Sequence, residues 1–152
     1  MATEETVQLN EAHAPQQASI DAFNSILHSV KSELLKLRRD HDKHEVEYFR
    51  AVKDVPDSDL ASFSADDLES VRVASTAYGL HLFAKVKIPA VSDAYIHVRI
   101  FGKAKEGTDG SSLDEREYKL HSIHTEEVVK EDGDRVYRAI FKKDDALEWF
   151  DT

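Results

Sequence analysis

The sequence predicts an α+β fold, in which one long helix packs on a curved antiparallel sheet of four to five strands. Three observations lead to this prediction. An apolar stripe with helical spacing comes first, at residues 20–37, and two runs with strand-like alternation follow at 80–88 and 95–101. An Asp-Gly turn signal then lies within residues 131–134. Because helical and strand patterns are segregated along the chain, α+β architecture is favoured over alternating α/β architecture.

The helix is indicated by six apolar residues spaced three or four positions apart, which form one stripe over five turns. These residues are Ile20, Phe23, Leu27, Val30, Leu34 and Leu37. Ser19 is the expected N-cap, and Asp21 falls where the helix dipole favours an acidic side chain. The repeat stops at the charged run RRDHDKHE, so a helix lying across a sheet is favoured over a coiled coil. Residues 1–18 are polar and predict a flexible arm.

The connection after the helix gives a weaker pattern. Residues 46–55 could continue the helix or begin a strand, and Pro56 ends this stretch. Residues 56–70 are rich in Ser and Asp and predict an exposed inserted loop, with some short-helix character near 66–70. At 152 residues, the chain is expected to hold one domain, residues 19–152, after the arm.

A β-hairpin is predicted from two alternating runs. In the first run, Leu80, Leu82, Ala84, Val86 and Ile88 alternate with His81, Phe83, Lys85 and Lys87. A turn at 89–93 leads to the second run, YIHVRIF, in which Ile96, Val98 and Ile100 are expected to face the core.

Two further strands are predicted at 117–124 and 135–141, with EDGD at 131–134 as the turn between them. The last residues carry Leu147, Trp149 and Phe150. The aromatic residues Tyr137, Phe141, Trp149 and Phe150 could form an exposed binding patch, but ordinary packing of the last strand and tail is favoured.

Composition excludes several classes of function. The net charge of −10 argues against nucleic acid and anionic membrane surfaces as partners, because both require basic residues. Without cysteine, the chain cannot form a disulfide, a thiolate nucleophile or a Cys-based zinc site. The N-terminus lacks the pattern of a secretory signal, and no apolar run approaches membrane-spanning length. A cytoplasmic location is therefore expected, and no cofactor or metal is implied.

Several segments resemble the stefins, the disulfide-free branch of the cystatin superfamily. Stefins carry a strand of aromatic, apolar, His, apolar, basic, apolar and Phe residues, and residues 95–101 fit that pattern throughout. VKSELLKLRRD is similar to the end of the stefin helix, and FRAV to the start of its next strand. LHLFAKV resembles the strand that leaves the first inhibitory loop. The resemblance extends over residues 18–141 and implies a cystatin-like fold.

The resemblance implies a reversible inhibitor that occludes the active-site cleft of papain-like cysteine proteases. Cystatins use a wedge with an N-terminal segment containing a glycine, a first hairpin loop with Q-x-V-x-G, and a second hairpin loop. Pro15 is the related feature of the N-terminal segment here. Counting back from LHLFAKV places the first loop at Ser75, Thr76, Ala77, Tyr78 and Gly79. Only Gly79 matches the motif, and anchoring on FRAV instead places residues 56–70 in the first loop.

The second loop of the implied wedge is residues 102–114. Its expected binding residues are Gly102, Lys103, Lys105 and Gly107. Tyr78, in the first loop, is the candidate aromatic anchor of the type that dominates interface energies. The expected partner is a protein, and the chain is expected to be a monomer or a domain-swapped dimer, because stefin-like hairpins can exchange between copies.

Two alternatives remain open. One is a cystatin-fold module that binds another protein without inhibiting a protease. The other is a small acid–base enzyme of the related cone fold typified by nuclear-transport-factor-like proteins, in which a pair such as His97 and Asp93 would need a pocket. His97 is more simply explained as a surface or cross-strand residue. His41 and His44 lack a third metal ligand, and His121 and His124 are expected on opposite strand faces.

Overall fold

The computed structural model describes residues 14–44, 49, 51–76, 79–107, 116–129, 131–133 and 135–150. Only the backbone is described for residues 41–44, 76, 128, 129 and 135–137. Helices α1 (Gln17–Ser25), α2 (Leu27–His44) and α3 (Asp57–Leu60) come first, followed by a 3-10 turn (Ala65–Asp67). The strands are β1 (Leu68–Thr76), β2 (Gly79–Lys87), β3 (Tyr95–Ala104), β4 (Arg116–Ile123), β5 (Glu126–Val129) and β6 (Arg135–Arg138).

Strands β1 to β4 form one antiparallel meander with the spatial order β1-β2-β3-β4, and β5 pairs with β6 in a separate hairpin. The predicted α+β class is confirmed, with helices packed against a four-stranded antiparallel sheet. The predicted pairing of 80–88 with 95–101 is also confirmed, because β2 and β3 pair from Leu80↔Gly102 to Lys87↔Tyr95.

The face of the sheet that packs against the helices is apolar. Leu82, Ala84 and Val86 of β2 lie beside Ile96, Val98 and Ile100 of β3, and all six are at most 1% exposed. Phe23, Val30 and Leu34 from the helices complete this core. The period-two pattern of the strands and the helical stripe therefore meet in one layer, as expected for an amphipathic helix on a sheet.

The predicted single helix is divided at Ile26. Ile26 leaves the helical conformation, and its amide donates to the carbonyl of Phe23 at 3.1 Å, three residues back. The Ser25 hydroxyl donates to the carbonyl of Ala22 at 2.6 Å, a side-chain bond that competes with the helical backbone ladder. The buried line consequently runs through Ser19, Ala22, Phe23, Ile26, Val30, Leu34 and Arg38, and Ile20, Leu27 and Leu37 lie at its margin.

The start of the helix also differs from the prediction. Helix α1 begins at Gln17, with Gln16 as its N-cap residue. The prediction of Ser19 as N-cap is wrong, because Ser19 lies inside the first turn and bonds back to Gln16. The Gln16 amide donates to Ser19 Oγ at 3.0 Å, and Ser19 Oγ donates to the Gln16 carbonyl at 2.9 Å. Most of the predicted flexible arm, residues 1–13, lies outside the described residues.

The connection between α2 and β1 is packed into the core. Leu60 and Phe63 are fully buried, so the prediction of an exposed loop is wrong for this stretch. The described part of FRAV lies in a 3-10 turn, which contradicts the strand expected there. Arg38 holds the connection to α2, since its guanidinium donates to the carbonyls of Val52 and Lys53 at 3.0 and 3.3 Å.

The C-terminal strands are arranged differently from the prediction. Strand β4 falls within one residue of the predicted 117–124. The turn at EDGD joins β5 to β6, whereas it was expected to join 117–124 to 135–141. Strand β5 was not predicted, because EEVV is short and half acidic and gives little alternation. None of the helices in the described part of the chain is long and apolar enough to cross a membrane.

Candidate functional site

Two hairpin turns lie at the same end of the meander. In an antiparallel meander, the β1–β2 and β3–β4 connections fall at one end of the sheet and the β2–β3 connection at the other. We call the end formed by residues 75–76, 79 and 102–107 the hairpin edge. Pairing of β1 with β2 continues to Thr76↔Gly79, so only residues 77–78 connect these strands. The alternative that placed residues 56–70 in the first hairpin loop is wrong, since they precede and begin β1.

Strands β2 and β3 approach each other closely at the hairpin edge, because each has a glycine there. Gly79 has a φ of +154°, and a Cβ atom added to it would lie 2.6 Å from the carbonyl oxygen of Gly102. A Cβ atom added to Gly102 would lie 2.6 Å from the ring of Tyr118. Neither position accommodates a larger residue without movement of its neighbours. The rings of Phe101 and Tyr118 occupy the space that side chains at these two positions would fill.

The predicted binding residues are distributed around the hairpin edge. Ser75 and Thr76 end β1, Gly79 begins β2, Gly102 and Lys103 lie near the end of β3, and Lys105 and Gly107 follow it. Ala77 and Tyr78 lie outside the described residues. Pro15 immediately precedes the N-cap of α1. The beginning of α1 is near the edge, since Ala18 and Lys105 line the same cavity of about 330 Å³.

The opposite face of the sheet, which we call the second face, is covered by the C-terminal segment, residues 139–150. Phe83 of β2 is fully buried there with Ala74, Leu147 and Phe150. The phenyl rings of Phe83 and Phe150 meet edge to face with centroids 5.2 Å apart. The favoured prediction that the tail aromatic residues pack is therefore confirmed for Phe141 and Phe150, and Trp149 is partly buried against the same cluster. The side chain of Tyr137 lies outside those described.

Cationic side chains from three strands hold the C-terminal segment to the second face. Lys85 donates through Nζ to the carbonyls of Lys142, Lys143 and Asp145. Arg72 donates to the carbonyl of Leu147 at 2.7 Å, and Arg99 to that of Phe150 at 2.9 Å. Apart from the bridge between Tyr95 and Phe141, this segment has no described strand pairing beyond β6. The cations therefore satisfy carbonyls that a regular ladder would otherwise satisfy.

Two histidines are buried among these cations, and both have lowered pKa values. His97 is 2% exposed, and burial, with Lys85 as the next cause, lowers its pKa to about 3. His81 has its pKa lowered to about 4 by burial and then by Arg99, whose Nε donates to His81 Nδ1 at 3.3 Å. Both rings are neutral near pH 7. The prediction of a surface role for His97 is wrong, because the C-terminal segment covers a strand face that was expected to be open.

Four parallel rings lie one over another in the same region. The ring of His97 stacks on Phe141 with centroids 4.2 Å apart, and His124 stacks on Phe141 and on Phe150 at 5.3 and 4.3 Å.

A β-bulge opposite Arg99 and Ile100 adds one residue to β4. His121 consequently shares the second face with His124, since its ring meets that of His81 at 6.3 Å. The expectation of opposite faces for these two histidines is wrong.

A polar cavity of about 480 Å³ lies between the sheet and the C-terminal segment. Arg138 spans it with two ion pairs, from Nε to Glu126 at 2.5 Å and from Nη1 to Asp145 at 3.1 Å. The remaining lining residues are His97, His124, Phe141, Ala146, Glu148, Trp149 and Phe150. Because His97 is near the start of β3, the cavity lies towards the end of the sheet opposite the hairpin edge.

Two residues that line this cavity each have a buried nitrogen atom without a hydrogen-bond partner among the described residues. The atoms are His97 Nε2 and Trp149 Nε1. A buried polar atom without a partner is rare in folded proteins and costs about 1–3 kcal/mol. His97 and Asp93 do not lie together at this cavity. Asp93 lies in the β2–β3 turn, where its carboxylate accepts a hydrogen bond from the Lys143 amide at 2.7 Å.

Sequence reasoning did not find the cavity. Its polar residues come from β3, β5, β6 and the tail, and no short motif connects them. One available signal was Phe83, a large aromatic residue at a strand position otherwise occupied by His81 and Lys85. An aromatic residue on a polar strand face, together with an apolar tail, indicates a covered face.

No group of three or more His, Asp or Glu side chains within the described residues could hold a metal ion. The side chains of His41 and His44 lie outside those described. No family model, no curated protein and no solved structure matches the chain.

Proposed function

We propose that this protein is a reversible protein-binding inhibitor, whose hairpin edge enters the active-site cleft of a papain-like cysteine protease. The observation that carries the proposal is the shared position of two hairpin turns at one end of the sheet, with the beginning of α1 nearby. Cystatin-like inhibitors form their wedge from three such segments. The support is thus the arrangement of the segments, together with the resemblance of residues 95–101 to the stefin strand.

The hairpin edge is suited to occlusion because its strands are already paired. Strands β1 and β2 remain paired up to the last residue on each side of their turn. Gly79 and Gly102 let the backbones of β2 and β3 approach each other closely and leave room for the rings of Phe101 and Tyr118. Strands that are already paired lose little conformational entropy when they enter a cleft.

A second candidate is a binding module that does not inhibit a protease. The observation in its favour is that Gly79 alone matches Q-x-V-x-G in the first turn. The edge also exposes Lys103 and Lys105 in a chain with a net charge of −10. Glu117 is paired with Lys103 and exposed Glu106 follows Lys105, so these lysines are individual contact points for a partner and do not make the edge basic.

The acid–base enzyme suggested by the cone-fold alternative has less support. The core beneath the helices is apolar, and the polar cavity lies on the other face of the sheet. With a pKa of about 3, the ring of His97 is a weak base near pH 7, and efficient general bases have pKa values close to the working pH.

Titration of papain with the purified chain tests the proposal. Residual activity on a small peptide substrate should fall progressively and reach a plateau as the chain is added. Lys103→Glu and Lys105→Glu should shift the titration curve, whereas Lys87→Glu, an exposed lysine at the other end of the sheet, should leave it unchanged. Full protease activity at a micromolar excess of the chain would rule out the inhibitor. Association without inhibition, measured by calorimetry, would favour the second candidate.

A further inference from the structure

Strand β4 forms one edge of the four-stranded sheet. It stands at the end of the strand order and pairs with β3 on its inner side. Its side chains alternate between exposed ones, such as Glu117 and Lys119, and half-buried ones, such as Tyr118 and Leu120, which pack against the core beneath the helices. The outer side of an edge strand presents backbone N–H and C=O groups with which another strand can pair.

Two open cavities flank this edge, between β4 and the helices. One of about 330 Å³ lies between α1 and the first half of β4, and one of about 730 Å³ lies between α2 and its middle. Tyr118 lines both cavities. The helix residues at the larger cavity include Ser29 and Ser32, which are small and exposed. The helices therefore leave room beside the strand, and a strand added there would cover more of Tyr118 and Leu120.

The charge along this edge differs from that of the whole chain, which is −10. Five basic and three acidic side chains line the two cavities. They are Lys36, Arg39, Lys105, Arg116 and Lys119 against Asp21, Glu33 and Glu117. Two copies of the chain can therefore approach each other at β4 with less repulsion than their net charge implies.

The exposed charges of β4 are complementary to those of a second, antiparallel β4. When Tyr118 lies opposite Tyr118 of another copy, Glu117 of each copy lies opposite Lys119 of the other. Moving the centre of the pairing by one residue places Glu117 opposite Glu117, or Lys119 opposite Lys119. Opposite charges across a strand pair are stabilising and like charges are destabilising. Within one copy, Lys119 faces Phe101 on β3, so the second copy would give its ammonium a cross-strand carboxylate.

We propose that two copies of this chain associate through β4, and that their sheets join into one antiparallel sheet. The copies are related by a twofold axis beside Tyr118, and residues 116–120 of each strand lie opposite one another. So short a pairing makes a small interface, and small interfaces are weak. This contact does not use the hairpin edge and does not rest on the proposed function. The competing occupant of the edge is an extended segment of another protein.

Sedimentation equilibrium of the purified chain, from about 5 to about 500 µM, measures the association. Lys119→Glu places two carboxylates opposite each other at both pairs of the dimer, so the dissociation constant should rise at least about tenfold. Glu117→Lys should do the same by bringing ammonium groups together. The matched controls are Lys87→Glu on β2 and Glu69→Lys on β1, which make the same changes of charge at exposed positions away from β4. They should associate like the unaltered chain.

A mixture of the two β4 variants provides the most specific test. In a mixed dimer of Lys119→Glu with Glu117→Lys, both cross-strand pairs again join opposite charges. The two variants should therefore associate with each other about as strongly as the unaltered chain does with itself, although each alone stays monomeric at the same concentration. Simple attraction between the copies cannot produce this result, because both variants keep a negative net charge.

Three results would overturn the proposal. A monomer at every concentration would leave the edge to a segment of another protein. Association that both variants retain would place the contact on another surface, and a mixture that stays monomeric would exclude the register centred on Tyr118. Circular dichroism checks that each variant is folded. Should one fail to fold, hydrogen exchange of the unaltered chain still decides, because amides within residues 116–120 should exchange more slowly at high than at low concentration. Equal exchange rates would contradict the pairing.

Discussion

The two faces of the four-stranded sheet are both buried, but by different chemistry. The face towards the helices is covered by aliphatic and aromatic side chains in one apolar layer. The second face buries His81, Lys85, His97 and Arg99, each at most 5% exposed, beneath a segment without a helix. The apolar cluster around Phe83 on this face is small, and hydrogen bonds from Lys85, Arg72 and Arg99 also hold the segment to the sheet.

The difference follows from the kind of element that covers each face. A helix satisfies its own backbone groups, so it can bury an apolar stripe without further polar partners. The irregular C-terminal segment leaves carbonyls that need donors, and the strands supply them through Lys85, Arg72 and Arg99. Buried cations on the second face are thus a consequence of covering a sheet with a segment that has little regular structure.

Loss of packing on the helix face should have the largest effect on stability. Leu34→Ala removes a fully buried side chain of α2 and should lower the free energy of unfolding by about 2–5 kcal/mol. Lys36→Ala, at an exposed position of the same helix, is the control and should change it by less than about 0.5 kcal/mol. Urea unfolding measures both. A cost below about 1 kcal/mol for Leu34→Ala would contradict the core described for this face.

On the second face, the most sensitive cation should be Lys85. Lys85→Met keeps an apolar stem but leaves three backbone carbonyls without their donor, so it should cost about 2 kcal/mol. Lys87→Met, two residues further along the same strand and exposed, should be nearly neutral. Loosening of the C-terminal segment should also shift the fluorescence of Trp149 to the red. Equal stability of the two variants would contradict the role of Lys85.

The buried histidines should make stability fall in acid. Above pH 6.5 both rings are neutral whether the chain is folded or unfolded. Below pH 6.5, both histidines are protonated in the unfolded chain. In the folded chain they stay neutral until the pH falls to their pKa values, about 4 for His81 and about 3 for His97. The free energy of unfolding should therefore decrease as the pH falls from 6.5 towards 4, by up to about 1.4 kcal/mol per pH unit for each ring.

The variant His97→Gln measures how much of this pH dependence of stability comes from His97. Denaturant unfolding at several pH values should show a shallower decrease in this variant than in the unaltered chain. Lys85, His124, Asp145 and Arg138 all act on His97, and they remain in place. His28→Gln, on the exposed side of α2, controls for the loss of one histidine. An identical slope in His97→Gln and the unaltered chain would show that His97 is not shielded from water.

The smallest effect is expected for Trp149→Phe. This change weakens the contact between the Arg99 guanidinium and the ring of residue 149, which lie 4.5 Å apart in the unaltered chain, at a cost of about 0.5–1 kcal/mol or less. It also removes an unpartnered buried N–H, which offsets part of that cost. The melting temperature, read by circular dichroism, should hardly change. A loss as large as that of Leu34→Ala would mean that the two faces are held by similar packing.

More of the fold than of the candidate sites could be predicted from the sequence. The pairing of residues 80–88 with 95–101 could be predicted, because apolar alternation and a turn that begins with a proline are local signals. The break at Ile26 was not visible, since it depends on the Ser25 hydroxyl bonding to a carbonyl that an uninterrupted helix would use. The burial of Leu60 and Phe63 was not predicted, because the segment was judged by its many Ser and Asp residues. The composition of a segment does not show which of its apolar side chains pack into the core.

By itself, the sequence determined the α+β class, the apolar layer between helix and sheet, and the β2–β3 hairpin, because each follows from the periodicity of neighbouring residues. The tertiary structure alone decided that His97 and Lys85 are buried, that β5 pairs with β6, and that a polar cavity lies beneath the tail. The burial of His97 and Lys85 and the cavity depend on contacts between residues about 40–60 positions apart, such as those of Lys85 and Arg99 with the tail. The pairing of β5 with β6 is local, but EEVV gives too little alternation to predict it. No local pattern encodes where a tail folds back, and the physical properties of a strand face depend on what covers it.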